Sequence, residues 1–278
     1  MKEYVRTDLA CEREGGVNRR EYRLHGCRVC ELFENERGER VGYTTVHFSP
    51  LSVEVGDERQ DAVRAVAKLL GRAAQRIAPH AECVLVACLG NPRLTPDSLG
   101  PCTGRALEVT RHVQLLDRAA FMQFDKGALC SVTPGVLGDT GVEAAELVRG
   151  AVREIGAGLV IAVDALATGS ADHLGAVVQI CDRGLRPGAG IGNRRMPIDA
   201  EHVGCPVISL GIPTVIDSGT LICDALSKAG ICGVGDALSH HLLRVGSYLV
   251  APADIDLTVS QGGALLAHAI GICFGVSE

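Results

Sequence analysis

Two aspartates follow apolar runs that have the character of buried strands. Asp97 lies in LGNPRLTPDSLGP, directly after CVLVAC, and Asp164 ends the run VIAVD. Sites in parallel α/β sheets form outside the carboxyl ends of the strands, so both carboxylates would enter one crevice if these strands are neighbours. Two acids in a partly dry site tend to share one proton rather than both ionise. The pattern therefore predicts a pair that supplies a base and an acid at once.

Each aspartate also has a purely structural interpretation. Asp97 precedes SLGPCTGRALEVT and could cap a helix there through its side-chain oxygen. Asp164 could close a turn by bonding its own backbone. Asp139, Asp182 and Asp217 occupy comparable positions, and spacing alone does not rank them.

The elements that must position these acids alternate along the chain. Apolar residues recur at helical spacing in three segments, and short apolar or β-branched runs lie between them. The predicted strands are 41–49, 83–90, 158–166, 175–182 and 205–213, and the predicted helices are 61–77, 142–155 and the tail after 251. The first forty residues are polar and indicate an extension or a peripheral hairpin, with order beginning near Val41. This alternation predicts an α/β three-layer sandwich with a central, mostly parallel sheet.

Composition and charge argue against several classes of function. The chain has 278 residues, no tryptophan and a net charge of −6, so Val, Leu, Ile and Ala must fill the core. A nucleic-acid partner is disfavoured because no Lys and Arg cluster is present. The N-terminus lacks the apolar core of a signal peptide and no apolar run approaches about 18 residues, so we expect a cytoplasmic protein without a membrane span.

The twelve cysteines show no disulfide framework and indicate reduced, buried thiols. Cys27 and Cys30, with His25 beside them, form half of a zinc site, but no second Cys-x-x-Cys is present. Neither G-x-S-x-G nor H-E-x-x-H occurs. We therefore predict no metal and no cofactor.

Several motifs together resemble the spore germination protease family. They are GNPRLTPDSLGP, TPGVLGDTGVE, VIAVDALA, ICDRGLRPGAGIGNRR, LGIPTVIDS and YLVAPADID, in the order and approximate spacing of that family. The resemblance implies an endopeptidase that degrades small acid-soluble spore proteins during germination, within the cytoplasm of the forespore or spore core. It also implies a homotetrameric zymogen, a fold similar to that of hydrogenase maturation peptidases, and Asp97 and Asp164 as the functional aspartates.

The start of the chain resembles the family's processing site. Family substrates are cut after an acidic residue in segments similar to Thr-Glu-(Phe or Ile)-Ala-Ser-Glu, and TDLACE imitates this at residues 7–12. We expect cleavage between Asp8 and Leu9, which divides the chain into a pro-segment, 1–8, and a single peptidase domain, 9–278. The alternative is a charged, disordered end.

A mechanism follows from the resemblance together with the acid pair. A water between Asp97 and Asp164 would lose its proton to one carboxylate while the other, protonated, acid polarises the scissile carbonyl. Arg194 and Arg195, in GIGNRR, are predicted to bind the acidic residue before the cut, because arginine pairs with carboxylate through two parallel bonds.

Two other functions remain open on the sequence. A metal-sensing maturation peptidase of the same fold would need a histidine near the acids, for which the candidates are His112, His173 and His202. A noncatalytic protein that holds basic spore proteins in the crevice is the second.

Overall fold

A nine-stranded sheet organises the described part of the chain. The computed structural model describes residues 6–12, 18–36, 39–53, 56–123, 127–189, 195–231 and 248–275. The strands are β1 Asn18–Leu24, β2 Cys27–Glu36, β3 Glu39–His47, β4 Cys83–Cys88, β5 Ala128–Val132, β6 Leu159–Thr168, β7 Val177–Cys181, β8 Val207–Asp217 and β9 Leu249–Val250. The helices are α1 Glu58–Ile77, α2 Leu99–Ala106, α3 Arg111–Leu116, α4 Arg118–Phe121, α5 Leu137–Thr140, α6 Ala144–Ile155, α7 Ala200–Val203, α8 Ser218–Lys228 and α9 Ile255–Phe274.

The sheet is mixed, with a parallel half and an antiparallel half. Its order is β1-β2-β3-β7-β8-β6-β4-β5, and β9 pairs with the far end of β8. Strands β8, β6, β4 and β5 run parallel, whereas β1, β2, β3 and β7 extend the sheet in antiparallel pairs. The predicted α/β class is confirmed, but the prediction of a mostly parallel sheet was wrong, because β3 and β7 join the sheet as antiparallel strands. The parallel strands β4 and β6 are those that lead to the two aspartates.

Helices cover both faces, so the sheet is the middle of three layers. Alternate residues of β4 divide between two cores. Val84 and Val86 pack with α1 and α9, whereas Leu85 and Ala87 pack with α6. All four side chains are buried, which explains why β4 is apolar throughout.

The expectation that order begins near Val41 was wrong, although the predicted peripheral hairpin is confirmed. Strands β1 and β2 pair through a two-residue turn in which His25 and Gly26 both have positive φ, 47° and 75°. Such turns match the twist of the paired strands. Most of β1 is exposed at the edge of the sheet, so its charged residues hid the strand pattern.

Helix α9 is the one described helix that is long and apolar enough to cross a membrane, with a mean hydropathy of 1.4 over its most apolar window. Its window is 56% buried, because the helix packs against α1 and α2. Gly262 and Gly263 permit that packing, since a Cβ on Gly263 would lie 2.8 Å from Cys102 Cβ. Length and hydropathy alone do not distinguish a buried core helix of this kind from a membrane span.

Candidate active site

Asp164 lies just beyond the end of β4, inside a longer strand β6. The last pair between these strands joins Cys88 to Val163, and β6 continues to Thr168 alongside β8. Asp164 is only 6% exposed, and its Oδ1 accepts a hydrogen bond from Ala165 N at 3.0 Å. It therefore closes no turn, and it lines a cavity together with Gln179.

Asp97 is held by the loop that leaves β4. Its carbonyl oxygen and its Oδ2 accept hydrogen bonds from Asn91 N, at 2.9 and 3.0 Å. Gly90 lets the loop fold back, because its φ is +110° and a Cβ there would lie 2.0 Å from Asp97 O. Ser98, not Asp97, is the N-cap residue of α2. The helix-capping interpretation therefore fails.

A β-bulge in β8 fixes the turn that carries Asp97. Leu166 pairs with Pro213 and Ala167 pairs with Val215, so Thr214 is the extra residue. The buried Thr214 hydroxyl donates to the carbonyl oxygen of Pro96 at 2.7 Å. This bond connects β8 to the residue directly before Asp97.

The pKa values of both carboxyl groups are raised, and the charge of Asp97 contributes to the shift at Asp164. Burial, followed by the negative charges of Asp97 and Asp8, raises the pKa of Asp164 well above its usual range. Burial also raises the pKa of Asp97, and the hydrogen bond from Asn91 only partly opposes this. Asp164 therefore holds a proton more strongly than Asp97, and the pairing of the two acids in catalysis stays a prediction.

Gln179, in the middle of β7, faces the same cleft as Asp164. Gly211 of β8 is the register partner of both residues, so the two side chains lie on one face of the sheet with a glycine between them. A Cβ on Gly211 would lie 2.5 Å from Leu166 Cγ, so only glycine fits there. The Leu166 side chain fills the space over Gly211, between Asp164 and Gln179.

The segment 6–12 occupies this cleft. Asp8 N donates to Ala167 O at 3.0 Å, and Ala167 N donates to Asp8 Oδ2 at 2.9 Å. Gln179 Nε2 donates to Asp8 O at 2.9 Å, while its Oε1 accepts from Ala10 N at 2.6 Å. Leu9, between them, is fully buried. The peptide bond predicted as the processing site is therefore clamped between β6 and β7.

The sequence interpretation missed Gln179. Its one signal is a lone polar residue in the otherwise apolar strand VVQIC, a position where a polar side chain needs a buried partner. Its partner is the N-terminal segment, in which Asp8 lies 171 positions before Gln179.

A cavity of about 700 Å³ adjoins the cleft. Its lining includes Asp8, Asp164, Gln179, Arg183 and Arg186. Arg194, predicted to bind the acidic residue before the cut, lies outside the described residues. Arg195 is half-buried and does not line the cavity, so its role stays a prediction.

The candidate metal ligands are dispersed. His202 Nδ1 lies 2.6 Å from Asp199 Oδ1, His112 is exposed, and His173 contacts Glu12. Cys27 and Cys30 are buried, unbridged thiols in β2. Among the residues that the structure describes, no three His, Cys, Asp or Glu side chains form a group that could hold a metal ion.

Comparison with known sequences decides the family. The family profile described as Germination protease matches residues 15–229. The chain belongs to the germination protease family. The Germination protease of Caldanaerobacter subterraneus subsp. tengcongensis is 36% identical over 239 residues, covering 80% of this chain and 72% of the relative. The Germination protease of Clostridium tetani is 33% identical over 309 residues, covering 96% and 94%.

As a family member the chain is a peptidase, a hydrolase of peptide bonds. Among solved structures, the NiFe hydrogenase maturation protease HycI from Thermococcus kodakarensis KOD1 aligns with a TM-score of 0.36 and 14% identity. The alignment covers 73% of this chain and 98% of the other.

Proposed function

We propose that this germination protease cleaves small acid-soluble spore proteins after an acidic residue, with Asp97 and Asp164 as its acid–base pair. It is made as a zymogen and removes residues 1–8 from itself. The observation that carries the proposal is the position of the Asp8–Leu9 peptide bond, whose carbonyl oxygen is held by Gln179 in the cleft that contains Asp164.

The proposed reaction divides two roles between the carboxyl groups. Asp97, ionised, takes a proton from a water molecule whose oxygen attacks the carbonyl carbon of Asp8. Asp164, protonated, donates a hydrogen bond to the carbonyl oxygen as charge develops there. When the C–N bond breaks, the proton held by Asp97 passes to the nitrogen of Leu9, and the pair regains its starting state.

Recognition of an acidic residue before the cut has support in the contacts of Asp8. Its carboxylate accepts the Ala167 backbone N–H at 2.9 Å. A carboxylate bound by a backbone amide gains a charge-assisted bond that an uncharged side chain cannot match. A substrate with aspartate or glutamate before the scissile bond can reuse this contact once residues 1–8 have left.

Assembly, location and substrate identity belong to the same proposal. Membership of the family supports a homotetramer in the cytoplasm of the forespore or spore core, with small acid-soluble spore proteins as partners. Light scattering of the purified protein tests the subunit number, and digestion of a purified spore protein tests the substrate.

The decisive experiment follows self-processing by intact mass. Wild type, Asp97→Asn and Asp164→Asn are incubated as full-length precursors and then given a peptide that contains Thr-Asp-Leu-Ala-Cys-Glu. Asp57→Asn is the matched control, because Asp57 is exposed and its side chain caps nothing. We expect wild type and Asp57→Asn to lose residues 1–8 and cut the peptide, and both dyad variants to be slower by about 10²–10⁴-fold.

Other outcomes separate the remaining functions. Peptide binding without any fragments indicates a noncatalytic binder. Cleavage that stops when a chelator is added favours the metal-sensing peptidase. Dyad variants that retain turnover within about tenfold of wild type refute the assignment of Asp97 and Asp164.

A further inference from the structure

Glu12 ends the cleft-bound segment in a pocket of its own. Its Oε1 accepts the Thr168 hydroxyl at 2.7 Å and lies 2.5 Å from His173 Nδ1. Its Oε2 accepts the Gly169 backbone N–H at 2.6 Å and also the hydroxyl of Thr7. The Glu12 side chain is only 9% exposed. Both oxygens are therefore bonded, and three of the four partners belong to the body of the enzyme.

The pocket favours the ionised carboxylate. Burial by itself would raise the pKa of Glu12, but the bonds from His173, Thr7, Thr168 and Gly169 outweigh it, and the pKa is lowered. The ring of His173 stacks edge-on against the ring of His47, at 5.4 Å between centroids. This contact helps to hold the imidazole in its orientation beside the carboxylate.

Glu12 is the fourth residue after the predicted cut, and its register in the cleft is fixed. Gln179 binds the backbone on both sides of Leu9, so a peptide seated with its scissile bond in the same place presents its fourth following residue to this pocket. The segment that family substrates share has glutamate at this position, and we propose that Thr168, Gly169 and His173 are the residues of this protein that bind its carboxylate. This inference rests on the proposed function.

A second consequence concerns the enzyme itself. Glu12 lies on the retained side of the predicted cut, so removal of residues 1–8 costs it the bond from Thr7 but leaves those to Thr168, Gly169 and His173. A substrate must displace Glu12 to use the subsite. Residues 9–12 thus act as an internal competitor of the substrate.

The test uses processed enzyme and two peptides that differ only at the fourth position after the cut, glutamate or glutamine. We expect wild type to prefer the glutamate peptide by about tenfold or more in kcat/KM, because hydrogen bonds to charged groups are the stronger ones. His173→Ala should reduce the preference to about threefold or less, with the glutamine peptide nearly unaffected. His112→Ala, at an exposed histidine, is the control.

The outcomes distinguish this subsite from the proposed function. Cleavage of neither peptide by wild type defeats the proposed function and the subsite with it. Equal cleavage of both peptides overturns the subsite alone. Glu12→Gln supplies an independent check: it should slow self-processing, yet raise peptide cleavage by the processed enzyme at limiting peptide. Unchanged peptide cleavage contradicts the competition.

A different contact carries a second inference, about Gln179. Its Nε2 donates to the carbonyl oxygen of Asp8, the oxygen on which negative charge develops when water attacks. The side chain is 7% exposed, and its Oε1 is bonded to Ala10 N, so the amide is oriented before the reaction begins. We infer that Gln179 is a catalytic residue that stabilises the oxyanion. Preorganised donors of this kind act strongly in water-excluded sites.

Self-processing isolates this role, because the scissile segment is part of the same chain. Gln179→Glu retains an oxygen to accept Ala10 N but, when ionised, cannot donate to the carbonyl; Gln179→Met can do neither. We expect the first-order rate of both variants to fall by about 10²–10³-fold. Gln123→Glu, at an exposed glutamine, is the control.

A second measurement excludes a purely structural effect. With the peptide substrate, Gln179→Glu should lower kcat at a pH where the new carboxyl group is ionised, while KM stays within about threefold of wild type. Processing of Gln179→Glu and Gln179→Met within about threefold of wild type overturns the inference. A loss confined to KM overturns it as well.

Discussion

Asp8, the residue before the predicted cut, lines the same cavity as Asp164. Burial, then the charge of Asp97 and then that of Asp8 raise the pKa of Asp164. This relationship makes the protonation of Asp164 depend on what occupies the cleft.

The first prediction concerns the pH dependence of self-processing. The rate should be bell-shaped, because it requires Asp97 ionised and Asp164 protonated. It should fall as the pH rises through the raised pKa of Asp164 and as the pH drops through that of Asp97. In Asp8→Asn the alkaline limb should move to lower pH, because one of the charges that raise the pKa of Asp164 is gone. Rates measured by intact mass across pH check this, and an unmoved limb contradicts it.

The second prediction concerns stability. The folded-state pKa of Asp164 is above its unfolded value, so its protonation favours folding. That contribution is fully present below the unfolded pKa, about 4, and is lost as the pH rises through the folded pKa. Asp164→Asn stays neutral, so its Tm should exceed that of wild type by a margin that widens with pH. Thermal unfolding between pH 4 and 9 measures this, and Asp57→Asn should show no such trend.

Gly90→Ala should displace Asp97 from its position in the candidate active site. Alanine is strained at a φ of +110°, and its Cβ would meet Asp97 O at 2.0 Å. We expect self-processing to slow by about 10²-fold, since small displacements of catalytic groups have effects of that size. Gly138→Ala is a suitable control, because a Cβ there meets nothing within 4 Å and its φ is ordinary. Wild-type rates in Gly90→Ala would count against the proposed support of Asp97.

Thr214→Val tests the bulge that holds the Asp97 turn. Valine matches the shape of threonine but cannot donate to Pro96 O, which leaves that carbonyl without the bond. We expect a kcat about tenfold lower and a loss of about 1–3 kcal/mol in unfolding free energy. Thr214→Ser keeps the hydroxyl and should restore most of the rate. If serine rescues nothing, the hydroxyl is not what positions the turn.

The apolar runs in the sequence were sufficient to predict the strands that lead to the two aspartates. Asp97 and Asp164 follow apolar runs, and β4 and β6 are parallel neighbours as expected, so both residues lie beyond the same end of the sheet. The two structural alternatives fail, because Ser98 is the cap and β6 continues past Asp164.

The remaining contacts join segments that are distant in the chain. The bond between Glu12 and His173 spans 161 positions, and nothing near either residue signals the other. Strand β1, at the antiparallel edge of the sheet, was not predicted for a different reason. It is charged and exposed, so it lacks the apolar alternation by which strands are recognised.

The burial of Leu9 has a consequence for the moment after the cut. Hydrolysis of its peptide bond creates an α-ammonium group on a residue whose side chain is wholly enclosed. A positive charge in so dry a place is costly unless a carboxylate neutralises it. The new N-terminus must therefore either form an ion pair with Asp97 and Asp164, which would inhibit them, or move into solvent. Release of the new N-terminus from the cleft, rather than hydrolysis of the peptide bond, would then limit the rate at which processed enzyme forms.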